Sequence, residues 1–223
     1  MSVRFLDAGE SCLVVEFGDA INVACSRQVR ALDLALEKAG VTGVLEAVPT
    51  YRSLAIYYEP LVIGRDALRQ QVSGLCDLLG GQEDRTPKIV EIPTVYGGES
   101  GPDLEFVARY RGLSPEEVIR LHSAPLYHVY MLGFVAGFPY LGDLAERLAV
   151  PRLSTPRLKV PGGSVGIGGG QTGIYPVESP GGWRIIGHTS LRLFDPSSEV
   201  PSLILPGDKV RFVPIAVHAY AGV

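Results

Sequence analysis

The stretch from Gly133 to Thr189 constrains this chain more than any other. It holds about half of the 27 glycines, several of the 17 prolines, the only tryptophan and a cluster of arginines. Glycine reaches positive φ without Cβ strain, and proline fixes φ while removing a donor. Dense use of both between short apolar runs commits the backbone to particular turns. Loops specified that tightly are more often sites than spacers, so function is sought here first.

Composition bounds the rest. The chain has 223 residues, 46% hydrophobic and 20% charged, with a net charge of −4. One large or two small domains of ordinary globular character fit these values. A mildly acidic surface argues against nucleic acid as the main partner, because phosphate neutralisation needs a basic face. No run has the apolar length of a membrane span, and the first ten residues lack the form of a signal peptide. Cys12, Cys25 and Cys76 are widely spaced without a CxxC pair. They imply neither a disulfide framework nor a metal site, and the expectation is a cytoplasmic protein with reduced thiols.

The first part alternates element types. Phe5–Asp7, Cys12–Phe17, Val44–Val48 and Leu54–Tyr58 read as strands, and Asn22–Ala39 and Asp66–Leu79 as helices. Gly40 and Gly80-Gly81 supply the helix stops. The order ββαββα predicts a small α+β sandwich over residues 1–84, with Gly80–Pro87 as the breaker. Residues 85–223 read as a second domain. Lys88–Val95, Tyr127–Phe134, Ser164–Ile167, Trp183–Ile186, Ser190–Phe194 and Lys209–Pro214 carry strand patterns, and Asp103–Arg111 and Pro115–Leu121 read as short helices. The second helix opens with the capping box Ser114-Pro115-Glu116-Glu117. A closed β-barrel with a little helix is the expected fold class.

Several motifs bear on chemistry. Gly168-Gly169-Gly170-Gln171-Thr172-Gly173 fits G-x-G-x-x-G, but Pro176 would break the helix that a dinucleotide fingerprint must open. A glycine-rich hairpin or an anion-binding nest of N–H groups fits better. Pro151-Arg152 and Pro156-Arg157 put two guanidinium groups on a stiffened loop, suited to carboxylate or phosphate. His122 ends the capped helix near an expected cleft, with His188 a weaker candidate; His128 and His218 carry no such claim. Gln171, Thr172, Tyr175 and Trp183 could orient a small amide or carboxylate. Glu99 lacks a local structural reason, whereas Asp103 is equally well a helix N-cap. Gly162–Gly166 matches G-x-S-x-G around Ser164 without the helix an elbow requires, so a serine hydrolase is not expected. No spacing suggests a metal site.

These residues carry a resemblance. EIPTVYGGESGPDL (Glu91–Leu104), the GFxxGFPYLG run from Gly133, and VPGGSVGIGGGQTGIYPVESPGGWRIIGHT are similar to the family of 5-oxoprolinase B subunits. That family includes the sporulation-kinase inhibitor KipI and proteins called allophanate hydrolase subunit 1. VVEFGDAI and VPTYRSLAIYYEP extend the likeness over nearly the whole chain. The resemblance implies a cyclophilin-like barrel behind the N-terminal α+β domain. It also implies ATP-dependent opening of 5-oxoproline to L-glutamate, with Mg and ATP serving a complex with 5-oxoprolinase A and C subunits (a KipA-type partner).

On that footing His122, Glu99 and Gln171 are candidate catalytic residues. Arg152, Arg157, Gly168, Gly169, Gly170, Thr172, Tyr175, Trp183 and His188 are candidate substrate- or anion-binding residues. His188 stands where the family commonly has Arg, and Ala136 where it commonly has Pro. Two other functions remain open: inhibition of a sensor histidine kinase, and one half of a urea-linked carboxyltransferase.

Overall fold

The computed structural model describes residues 3–79 and 86–216. The chain divides into two compact units, Met1–Thr86 and Pro87–Val223. Most of the Gly80–Pro87 breaker and His218 lie outside the described residues.

In the first unit, strands β1 (Arg4–Asp7), β2 (Cys12–Glu16), β3 (Val44–Pro49) and β4 (Ser53–Tyr58) form an antiparallel sheet in the order β1-β2-β4-β3. Alternation turns Leu13, Val15, Leu54 and Ile56 to one face. There they meet Val29, Leu32 and Leu36 of α1 (Val23–Ala39) and Leu68 and Val72 of α2 (Arg65–Asp77). Each such fully buried side chain contributes about 1.5–3 kcal/mol. Asn22 caps α1 by accepting from the Cys25 N–H at 2.8 Å, and Gly40 ends it at φ 56°. Helix α2 stops at Asp77, earlier than the apolar spacing to Leu79 predicts. The expected glycine stop lies outside the described residues.

The second unit is a closed barrel of seven strands: β5 (Ile89–Tyr96), β6 (Tyr127–Leu132), β7 (Pro139–Leu141), β9 (Ser164–Gly168), β10 (Gln171–Ile174), β12 (Arg184–His188) and β13 (Lys209–Pro214). Neighbours run β10-β7-β6-β13-β5-β12-β9, and β9 pairs with β10 to close the ring. Only β13 and β5 are parallel among the barrel pairs. Strands β8 (Arg157–Val160) and β11 (Ser179–Gly181) form a separate ribbon. Helices α3 (Leu104–Arg111) and α4 (Pro115–Ser123) lie in the connection from β5 to β6, and the capping box of α4 forms as its sequence predicts. The mixed α+β architecture with few helices is thus the one expected.

Particular strands differ. Ser190–Phe194 is not a strand; it makes one bridge, from Phe194 to Ser202, while Leu191 and Leu193 bury against the barrel. Apolar spacing there records burial of a connection, not a ladder. The strand expected to reach Phe134 ends at Leu132, because Phe134 adopts φ 65°. Strands β7, β8, β10 and β11 are three or four residues long, so their patterns are too short to read.

The turn after β5 is fixed by backbone alone. Gly97 donates to the Ile186 carbonyl at 3.1 Å, Gly101 to the Gly97 carbonyl at 2.9 Å, and Asp103 to the Ile185 carbonyl at 2.8 Å. A methyl group at Gly101 would run into the Ile186 carbonyl, which cannot swing away as a side chain can. Gly101→Ala is therefore expected to lose about 1–3 kcal/mol. Gly170→Ala, with open space around its added carbon, should stay within about 0.5 kcal/mol. Denaturant melts of both variants check the contrast.

Candidate functional site

The glycine-rich segment is a bed for aromatic rings. Gly166 and Gly168 lie two apart on β9, so they share a face. Trp183 fills the space they leave: a Cβ on Gly168 would come within 2.6 Å of the indole, and one on Gly166 within 3.3 Å of the Trp183 Cβ. Gly173 makes the same room for Phe138, and Gly181 for Tyr175. The rings then meet edge to face, Phe138 lying 5.5 Å from Trp183, 5.2 Å from Tyr175 and 5.0 Å from Tyr140. Such pairs add about 0.5–1.5 kcal/mol each beyond area burial. Phe138, Tyr175 and Trp183 are buried, whereas Tyr140 is half-buried at the edge.

Arginines surround this cluster, and Asp103 decides which are free. Asp103 stands at the N-cap position of α3 yet makes no cap bond. Its Oδ2 accepts from the Ile185 N–H at 2.7 Å and its Oδ1 from Arg157 Nη2 at 2.9 Å. Arg184 Nη1 lies 4.0 Å from the same Oδ1, and its guanidinium stacks 3.6 Å over Phe106. Arg157 also donates to the Trp183 carbonyl at 3.3 Å. The expected Arg152/Arg157 pair is therefore split: Arg157 is a strut. Arg152 is exposed, with its guanidinium 5.8 Å over the Trp183 ring. Burial pushes the Tyr140 and Tyr175 hydroxyls up, and the Arg152 charge pulls both partly back.

His122 is fully buried, not at a cleft mouth. Its Nε2 lies 2.8 Å from Thr172 Oγ1 and its Nδ1 2.8 Å from the Tyr96 hydroxyl. Thr172 spends its proton on the Gly166 carbonyl at 2.9 Å. It must accept from His122, so the imidazole is the neutral Nε2–H form and Tyr96 donates to Nδ1. Burial lowers the His122 pKa to about 3. With both nitrogens engaged, His122 and Thr172 brace β5, β10 and α4 from inside the barrel.

The other expected residues scatter. Gly168–Gly170 forms the tight β9–β10 hairpin, and Gly169 exchanges hydrogen bonds with Val150 at 2.9 and 3.3 Å. That N–H is taken, and the turn joins two strands instead of opening a helix. His188 Nε2 donates to the Gly162 carbonyl at 2.7 Å and closes a loop. Gln171 is half-buried where β10 begins, and Glu99 is exposed in the β5–α3 turn. Both nitrogens of His122 are already hydrogen-bonded, to Tyr96 and Thr172. Ser164 is buried inside β9, not on an elbow.

The family model for the carboxyltransferase domain, subdomain C and D, matches residues 3–204. The 5-oxoprolinase B subunit of Bacillus subtilis is 41% identical over 99% of this chain and 98% of its own length. That of Escherichia coli O157:H7 is 45% identical over 92% and 93%. The chain belongs to the family of 5-oxoprolinase B subunits. The solved structure of the protein TTHA0988 is similar with a TM-score of 0.81 and 40% identity, over 92% of this chain and 39% of that one. Its polypeptide is thus well over twice as long as the part matched here.

Sequence reasoning missed Tyr140 and Arg184 and misjudged Asp103. Tyr140 lies in the GFPYLG run, and Arg184 follows Trp183 directly, so adjacency to the cluster was the signal that could have found them. The double use of Asp103 joins residues 54 and 82 positions apart and leaves no local trace.

The neutral His122 has a measurable consequence. Its pKa is about 3 when folded and about 6.5 when unfolded. Between those values the unfolded chain binds the extra proton, so stability falls as pH drops from about 6.5 toward 3, by up to about 1.4 kcal/mol per unit. His122→Gln should flatten this acid limb by that amount in thermal melts from pH 7.5 to 4.5. An unaltered slope would mean the folded imidazole is already charged.

Proposed function

We propose that this chain is the B subunit of an ATP-dependent 5-oxoprolinase, opening 5-oxoproline to L-glutamate together with A and C subunits. The observation that carries the reading is its 41% identity with the Bacillus subtilis protein of that name across 99% of this chain and 98% of that one. A B subunit implies further subunits.

The geometry supports a binding role. A lactam is resonance-stabilised and flat, and the half-buried ring of Tyr140 and the exposed Arg152 beside it form a wall matched to a flat, anionic ring. Asp103 and the pinned turns hold that wall rigid, which suits orientation of a substrate more than proton transfer. His122, buried and neutral, acts as a positioning residue. Glu99 and Gln171 remain candidate catalytic groups at the barrel's turns. ATP with Mg belongs to the assembly, and the Gly169 N–H, committed to Val150, offers it no donor. The unpaired thiols of Cys12, Cys25 and Cys76 fit a cytoplasmic location.

A second reading has one observation in its favour. The matching family is described as a carboxyltransferase domain, so the chain could instead serve as half of a carboxyl-transfer site supplied by a biotin-bearing partner.

Glutamate release from 5-oxoproline separates them. The chain co-purified with A and C subunits should form glutamate and ADP together, and the chain alone should form none. A well-folded assembly that leaves 5-oxoproline untouched, yet carboxylates a urea-type amide when given carboxybiotin, would replace the first reading by the second.

A further inference from the structure

Three arginines gather at the aromatic wall, and they are not equivalent. Arg157 and Arg184 share the single carboxylate of Asp103. Arg152 has no acidic partner among the described residues, so the cluster carries three cations against one anion. Its position is nonetheless built. Pro151 restricts the backbone before it, and the Pro151 carbonyl accepts from Arg184 Nε at 3.4 Å. After it, Leu153 N–H donates to the Gly182 carbonyl at 2.7 Å, and the preceding Val150 is bridged to Gly169. An exposed cation on a chain pinned at both sides, with its planar head over an indole, is held without being neutralised. The indole lies on one side of the guanidinium, whose N–H edges meet no acidic group among the described residues.

We propose that Arg152 is the carboxylate-recognition residue of this site, taking the carboxylate of a small cyclic acid whose flat ring lies against the half-buried Tyr140. The proposal rests on the 5-oxoprolinase reading and names the subsite within it. A fork of parallel N–H donors matches a planar carboxylate. The tyrosine face matches an uncharged ring. A multiply charged phosphate would find only one free cation here, because Asp103 holds the other two.

The test has two arms. In the assembled enzyme, Arg152→Ala should raise KM for 5-oxoproline about 10- to 100-fold, the worth of a charged hydrogen bond, with kcat within about threefold. Arg152→Lys should recover part of the loss. Trp183 is the only tryptophan of this chain, so its emission reports binding to the isolated chain directly. There 5-oxoproline should bind more tightly than 2-pyrrolidone, which lacks the carboxylate, and Arg152→Ala should erase the difference. Where the assembly turns over, KM decides: an unchanged KM, or a fall in kcat alone, overturns the subsite and leaves the function standing. Where it does not turn over, the function fails and the titration decides: equal binding of the two ligands by the wild-type chain overturns the subsite as well.

Discussion

The barrel's working face depends on one carboxylate. Asp103 is nearly buried, and both of its oxygens are used: one for the Ile185 N–H of β12, one for Arg157 of β8, with Arg184 close behind. A buried carboxylate is costly unless its charge and lone pairs are matched. Once it is placed, the arginines must come to it, and their approach fixes the ribbon strand β8 beside the barrel strand β12. The Arg157 bond to the Trp183 carbonyl then fixes the backbone that carries the indole. The placement of Trp183 in the aromatic wall descends from that contact.

The glycines are the other half of the same arrangement. A ring the size of indole cannot lie flat on a strand whose side chains stand up from the pleat. Removing side chains at alternate positions of β9 leaves a shelf, and Trp183 occupies it. Phosphate-binding glycine loops use missing side chains to bring backbone donors to an anion. Here the missing side chains admit rings, and the backbone donors remain in the sheet. One glycine-rich string can serve either purpose, and the neighbouring hydrogen bonds decide which.

Much of the fold was legible. The ββαββα order, both capped helices and the longer barrel strands follow from periodicity and capping that involve residues a few positions apart. The candidate site was legible only in outline. Dense Gly, Pro and Arg marked the right segment, and Arg152, Tyr175 and Trp183 do gather there. Their partners did not show, because Asp103 reaches across 54 and 82 residues of sequence and no local pattern encodes such a bond. His122 misled for a related reason. At the end of an amphipathic helix a histidine reads alike whether it faces solvent or core, and its burial is decided by Tyr96, Thr172 and Phe212, which arrive from other strands.

That reassignment narrows what the barrel can contribute chemically. A general acid or base needs a pKa near the working pH and an open edge toward the reacting atom. His122 has neither, since burial holds it neutral and both of its nitrogens are occupied. The groups that remain accessible at the wall are the permanent cation of Arg152 and the half-buried ring of Tyr140, which suit recognition and orientation more than proton transfer.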